Sequence, residues 1–520
     1  MKRITIDPVT RIEGHAKIVI QLDDSGKVAG TEFHVTQVRG FEKFTEGRPF
    51  YEMPGITSRI CGICPISHLL ASAKACDAIM GVRIPPAAKK VRELVHFAQI
   101  VQSHALSFFY LSSPDLLLGM DSDAASRNVL GVIAAHPEMA RHGIELRKFG
   151  LQIIEGLAQE RVHPAWIVPG GVAAPMSVGV RERILSDLPS AKAIADRTLQ
   201  FFKNALDNYK SEIESFGSAP TMHAGLVDRK GNLQLYDGML RFRGKSGEIV
   251  EDEIVAEEYA DWIAEASLRD SYLKAPYFKP QGFPEGAYRV GPLARLNAAD
   301  QCGTPLADAE FEEFHQRFGA PAHSAFLYHY ARLIEIVYAL EKIEQLLADP
   351  QILEKHVRAT GGVNSLEGVG MIEAPRGTLI HHYKVNEQGG ITWANLIVAT
   401  GHNNLAIGRS VQQVSERYID GNKLQEGMLN RVSAVVRAYD PCLSCSTHAL
   451  GQIALHIQLV DAEGHLRDEI ATPRKRPSRN NNQPIDALWN IASIPCGFID
   501  SASESAGSAA AGPDRIQSHV

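Results

Sequence analysis

Cysteine is scarce in this 520-residue chain, and the seven present are too unevenly placed for a disulfide scaffold. No run of about 18 apolar residues occurs, so no membrane-spanning helix is expected. The start, MKRITIDPVTRIEGH, carries no apolar stretch of the secretory kind, which leaves a reducing cytoplasm as the expected compartment. Positive charge is not in excess either. The formal net charge of −7 argues against a general grip on nucleic acid. A Gly-x-Gly-x-x-Gly dinucleotide fingerprint, a third cysteine cluster and an internal repeat are all missing. In such a setting cysteines serve better as metal-binding thiolates than as cross-links.

What remains is the composition of a soluble globular enzyme, with 45% hydrophobic and 22% charged residues. A chain this long buries a large core, as one big subdivided domain or roughly two to three domains. Lys2 to Asp7 and Ala16 to Val35 read as strands: Ile18, Ile20 and Leu22 alternate with Lys17, Val19 and Gln21, and Asp24-Ser25-Gly26 supplies a turn. Ile66 to Met80, rich in Leu and Ala and stopped by Gly81, reads as a helix beginning near Cys64. Partial positive charge at that helix end favours a thiolate. Helical spacing also marks Ala87 to about Tyr110, the region from 120 to 160, Arg181 to Ser215, Ala322 to Leu347 and Leu429 to Val436. Residues 219–255 switch to short alternating runs between Gly, Asn and Asp turns, a small β insertion, and a loop-rich stretch follows to about 305. Leu396 to Thr400 and Ile453 to Val460 read as strands, while Ser501 to Gly512, rich in Ser, Ala and Gly, is expected to be disordered. Cys76 and Cys302 read as small buried side chains rather than ligands.

Two stretches dominate the chain: Arg59-Ile60-Cys61-Gly62-Ile63-Cys64-Pro65-Ile66-Ser67-His68 and Asp440-Pro441-Cys442-Leu443-Ser444-Cys445-Ser446-Thr447-His448. Each is a Cys-x-x-Cys pair closely followed by a histidine, and most of the chain lies between them. One pair can hold one metal ion, and two pairs make a four-sulfur site only if the fold joins them. Structural zinc, an iron–sulfur cluster and a redox-active pair of softer metals all fit the ligand count. Zinc and iron–sulfur motifs usually sit closer together, but spacing alone does not choose the metal.

These two motifs resemble those of the large, catalytic subunit of nickel–iron hydrogenases. So do Asp7-Pro8-Val9-Thr10-Arg11-Ile12-Glu13-Gly14-His15, Val38-Arg39-Gly40-Phe41-Glu42 and Glu373-Ala374-Pro375-Arg376-Gly377, in the same order. RICGICPISHLLASAKA with DPCLSCSTHALGQ is most similar to the cytoplasmic NAD-reducing branch of that family, and the resemblance runs from about residue 4 to 470. It implies a mainly helical α+β fold, with a central helix bundle and small peripheral β elements.

The resemblance also implies roles. All four thiolates would bind nickel, Cys61 and Cys442 as terminal ligands, while Cys64 and Cys445 would also bridge to an iron carrying carbon monoxide and cyanide. Cys442 would take the proton when dihydrogen is split, and Glu13 would relay it, although by itself Glu13 reads as a surface carboxylate in a turn. Arg376, which alone reads as a solvent-facing turn residue, would stand above the open metal position with Asp115 and Asp440 around it. Glu42 and His448 would hold magnesium, and His68 would hydrogen-bond a cysteine sulfur. Arg59 and His15 would pack or support these groups, and His381 and His382 receive no role.

Cleavage by a maturation endopeptidase would fall after His448. Residues 1–448 would then be the catalytic domain, and 449–520 a removed peptide followed by an atypical disordered extension. Iron–sulfur clusters, FMN and NAD would reside on partners: diaphorase subunits, together with an iron–sulfur small subunit. A hydrogenase using F420 or NADP is the near alternative. A non-catalytic subunit of the respiratory complex I kind, which lacks the paired cysteines, and a structural zinc protein are more distant.

Overall fold

A computed structural model of the chain describes residues 2–268 and 271–447, together with the strands His456–Val460 and Leu466–Ala471. Its largest elements are helices. Pro65–Met80 and Tyr328–Ala348 are buried on nearly every side, the pattern of helices enclosed by other elements. Tyr328–Ala348 packs against Pro86–Leu106 and Val178–Ala205, and Pro86–Leu106 packs in turn on Pro137–Ala158. This bundle carries a large part of the main apolar core.

Three sheets of three or four strands flank it. Lys2–Ile6, Ala16–Leu22 and Val28–Val35 form an antiparallel meander, with Ile4 opposite Ile20 and Ile18 opposite Phe33. The expected β insertion is present as Met222–Val227, Met239–Arg243 and Ile249–Ile254, extended by Tyr288–Arg289 running parallel to the first of these. Phe242, Tyr288, Leu226, Met371 and Ile380 belong to a second, smaller core that joins this sheet to the third. The third sheet comprises Glu367–Ala374, Gly377–Val385 and Ile391–Ile397. Its first strand lies almost on the backbone of the Pro65–Met80 helix: a Cβ on Gly370 would come 2.0 Å from the Ala71 carbonyl oxygen. Glycine permits that approach, and the hairpin tip Pro375-Arg376 is thereby brought beside the start of the helix.

Several expected boundaries move. The region from 120 to 160 is two helices, Val129–Ala135 and Pro137–Ala158, and turns precede them; the Asn128 carboxamide oxygen caps the first by accepting from Leu130 N and Gly131 N. Regular α-helix ends at Leu106 and gives way to a wider π turn over Ser107–Ser112. Arg181 to Ser215 begins earlier, at Val178, and breaks at the 3-10 turn Leu206–Tyr209. The stretch before 305, expected as loop, holds the buried helix Pro292–Ala298, at seven residues too short to show a period. Thr400 belongs to the helical turn Ala399–His402, not to the preceding strand. The compact unit spans Met1–Ile453, and a separate unit contains the antiparallel pair His456–Val460 and Leu466–Ala471. The boundary expected at 448 and the Ser501 to Gly512 segment lie outside the described residues.

Candidate metal centre

The first cysteine loop runs into the Pro65–Met80 helix, with Cys64 at the N-cap and proline at the first helical position. The free N–H groups of Ile66 and Ser67 are taken by Gln99 Oε1, at 2.8 and 3.2 Å, from the neighbouring helix. Cys61 Sγ accepts from the N–H groups of Ile63 and Cys64, at 3.2 and 3.3 Å. The second loop begins where helix Glu426–Ala438 ends. Asp440 turns the chain with a φ of 53°, a left-handed conformation that aspartate tolerates better than most residues.

A third segment joins the two loops. Glu13 and Cys442 form a short parallel bridge, and Leu443 N donates to the Glu13 carbonyl at 3.0 Å. Gly14, at φ 87°, allows this: a Cβ there would stand 2.8 Å from Leu443 Cβ and 2.9 Å from Ser444 N. Cys442 N donates to Thr400 Oγ1 at 2.9 Å, fixing the loop on its other side.

The four sulfurs converge. Cys61, Cys64, Cys442 and Cys445 are all buried, and their Sγ atoms lie within 4.8 Å of one another. Cys61 to Cys442 is 3.5 Å and Cys64 to Cys445 is 3.9 Å. A tetrahedral ion with bonds of about 2.3 Å needs sulfurs about 3.8 Å apart, so these edges fit a metal. Cys442 and Cys445, at 2.7 Å, would spread by about an ångström around such an ion. Burial pushes the Cys442 and Cys445 thiols up, whereas bonds from Cys442, Cys445 and Cys61 hold Cys64 down. A cation would release the remaining protons and convert the set to soft thiolate donors. Among the described residues this is the one group of metal-binding side chains.

Charged and polar side chains surround the sulfurs. Arg376 is buried at the hairpin tip; its Nε donates to the Asp440 carbonyl at 2.7 Å and its Nη2 to Asp440 Oδ1 at 3.1 Å. Burial opposes its charge, but Asp440 and the thiols of Cys442, Cys64 and Cys61 outweigh that and keep it protonated. Arg295 holds the tip from behind, donating to the carbonyls of Ala374 and Pro375 and pairing with Glu335 and Glu373. Cys442 Sγ donates to Glu13 Oε2 at 3.2 Å, and Ser444 binds both oxygens of that carboxylate. The His68 ring lies beside Cys64 and helps hold its thiol low; its Nδ1 meets His381 Nε2 at 3.1 Å, while its buried Nε2 has no hydrogen-bond partner. His381 continues to Tyr383 and Ser72. An enclosed cavity lies between the sulfurs and the side chains of Arg376, Pro375, Leu379, Val398 and Thr400.

Not every expected residue joins this group. Asp115 does not stand beside Arg376. It accepts from Arg11 at 2.5 Å, from Arg437 at 2.9 Å and from Asn430 at 3.1 Å, and these partners claim its carboxylate. Arg376 takes Ser103 and Asp440 as its partners instead. Glu42 accepts from Leu396 N at 2.9 Å with Lys274 at 3.8 Å, and burial pushes its carboxyl up. His448 lies outside the described residues. Arg59 and His15 are exposed, so neither packs in the interior. Cys76 and Cys302 are buried with raised thiols, inert as expected. Ser103, Thr400 and Gln99 had no sequence signal, being ordinary polar residues in apolar surroundings.

Among the described residues no helix is long and apolar enough to cross a membrane. The family model described as nickel-dependent hydrogenase matches residues 39–128 and 233–448, and one described as HoxL-like matches residues 3–38. The chain is 42% identical to the β subunit of the NAD-reducing hydrogenase HoxS of Cupriavidus necator, over 90% of this chain and 99% of the relative. It is 43% identical to a chain of the F420-non-reducing hydrogenase vhc of Methanococcus voltae, over 88% of this chain and 98% of that relative. The crystal structure of an NAD+-reducing [NiFe]-hydrogenase in the H2-reduced state superposes with a TM-score of 0.84 at 44% identity, over 86% of this chain and 100% of that one. The chain therefore belongs to the nickel-dependent hydrogenase family, as a large, catalytic subunit.

Proposed function

We propose that this chain splits dihydrogen reversibly and sends the electrons through an iron–sulfur small subunit to a diaphorase that reduces NAD. The convergence of four buried sulfurs from opposite ends of the chain carries this reading. The set fits nickel and iron, because it is all soft donors and because His68 keeps a buried Nε2 free to bond a metal-bound sulfur. When bound, the metal pair supplies heterolytic cleavage of dihydrogen. The iron would carry carbon monoxide and cyanide, and Pro375, Leu379 and Val398 would give that side of the site apolar walls.

The chain's own residues handle the proton and the charge. A proton on Cys442 Sγ has Glu13 Oε2 at hydrogen-bond distance, so the carboxylate can accept it directly. Ser444 holds both carboxylate oxygens and so keeps the acceptor aimed. Arg376, fixed by Asp440, brings a desolvated positive charge to the wall of the cavity beside the sulfurs, where it can orient a bound molecule. Asp115 would act at a distance, by holding Arg11 and Arg437 around the Glu13 loop. Glu42 and His448 would hold magnesium, and residues 1–448 would be the mature domain left by an endopeptidase in the cytoplasm.

The relative from Cupriavidus necator supports NAD as acceptor; the equally similar Methanococcus voltae chain, named for a hydrogenase that does not reduce F420, supports a second reading with an acceptor other than NAD. The test is metal analysis and infrared spectroscopy of protein purified from its native host, followed by assays of the complex with NAD, NADP and F420. Nickel and iron in equal amount, with carbon monoxide and cyanide bands and hydrogen-dependent NADH formation, are expected. Zinc alone in the mature chain would overturn the reading. Reduction of another acceptor but not NAD would overturn the acceptor.

A further inference from the structure

Arg332 is fully buried near the start of helix Tyr328–Ala348 and lacks the carboxylate partner that four other buried arginines have. Arg92 meets Asp77, Arg295 meets Glu335 and Glu373, Arg437 meets Asp115, and Arg376 meets Asp440. Arg332 makes one hydrogen bond, from Nη2 to the Ala438 carbonyl at 2.7 Å, and lies 5.7 Å from the centre of the Tyr328 ring. Its Nε and Nη1 have no acceptor. Burial brings its pKa down to about 10, so it stays charged at neutral pH, and Asp440 is the group that most favours that charge.

Asp440 shows the complementary vacancy. Its Oδ1 takes the bond from Arg376 Nη2; its Oδ2 is 3.1 Å from the same nitrogen but has no hydrogen-bond donor. Ala438, which Arg332 holds, is two residues from Asp440. Arg332 thus carries two donors without an acceptor, and Asp440, the group whose charge it feels most favourably, carries an acceptor without a donor. Ser107 Oγ is also buried and unpartnered, one helical turn beyond the Ser103 hydroxyl that Arg376 reaches. Buried polar groups left open in this way are met by ordered water, which needs about two to four polar partners.

We propose that Arg332 and Asp440 enclose a built water site behind Arg376, and that Arg332, held through that water, is a positioning residue that sets the charge around the four thiolates. Two guanidinium groups then share one carboxylate, and the surplus positive charge faces the sulfurs. Loss of that charge disfavours the more reduced state of the centre, so its potential must fall.

The test uses the purified native complex. Its crystal structure, at a resolution that shows solvent, is expected to place a water within about 3.2 Å of both Arg332 and Asp440 Oδ2. A dry gap or a direct Arg332–Asp440 ion pair would overturn the water site. R332M is expected to retain nickel and iron but shift the reduction equilibrium of the nickel signal about tenfold, some 59 mV downward for one electron, with R332K returning most of it. An unchanged potential in R332M with full metal content would sink the electrostatic role; if R332M does not take up metal, R332Q carries the same comparison. The inference rests on the metal reading, but the two fail separately: zinc in the native protein would remove the metals, and only diffraction removes the water.

Discussion

Glu13 Oε2 lies 3.2 Å from Cys442 Sγ across 429 residues of sequence, and the backbones of the same two residues pair as a strand bridge. Side-chain chemistry and main-chain pairing therefore fix each other. A Glu13→Gln substitution keeps the shape and the Ser444 contacts but removes the proton acceptor. Hydrogen oxidation is expected to drop by about 10²–10⁴ with nickel and iron content unchanged, as measured by metal analysis beside the activity assay. Retained activity would take Glu13 out of the proton path.

Gly14→Ala tests the bridge itself. The added methyl would sit 2.8 Å from Leu443 Cβ at a backbone angle that disfavours a side chain, a cost of about 1–3 kcal/mol. Because Leu443 follows Cys442, the expected outcome is a lower melting temperature together with reduced nickel content. Full nickel content in a folded variant would show that the loops have more room than their spacing implies.

Stability should fall in mild acid. Burial depresses His96 to about 4 and His329 to about 3 from an ordinary value of 6.5. Both are neutral when folded and take up protons more readily when unfolded. Their contribution is complete above pH 6.5 and is lost as pH falls toward 4 and then 3, at about 1.4 kcal/mol per pH unit for each. Thermal melts between pH 7.5 and 5 check this, and a His96→Gln variant should show a shallower decline.

Glu335 supports the Arg376 hairpin at one remove. Burial raises its carboxyl, but Arg295 outweighs burial and brings it down to about 2 from 4.5, so its contribution is present above pH 4.5 and lost below. Glu335→Leu leaves Arg295 with Glu373 alone and is expected to cost about 3–5 kcal/mol in denaturant titrations. A loss below about 1 kcal/mol would mean that Glu373 suffices.

The cysteine loops, the Arg376 turn and the helix beginning at Cys64 were legible because each is a local pattern with its own punctuation. Partner choice was not. Asp115 follows the π turn, and whether it faces Arg376 or Arg437 depends on how that turn rotates the next helix. His381 and His382 did carry a signal. Neighbours on a strand point to opposite faces, so one of two adjacent histidines in a buried sheet had to look inward, and His381 does so onto His68. Arg332 reads as one more charge on a long helix. Only the packing around it reveals that no carboxylate comes to meet it.

The close approach at Gly14 makes the centre a seam between the two ends of the catalytic fold. The helix bundle is held elsewhere, by Tyr328–Ala348 against Pro86–Leu106 and Val178–Ala205. A seam of this kind can part while the interior stays folded, because local opening needs only the contacts it breaks. Opening at that seam would expose the four sulfurs and leave the bundle standing.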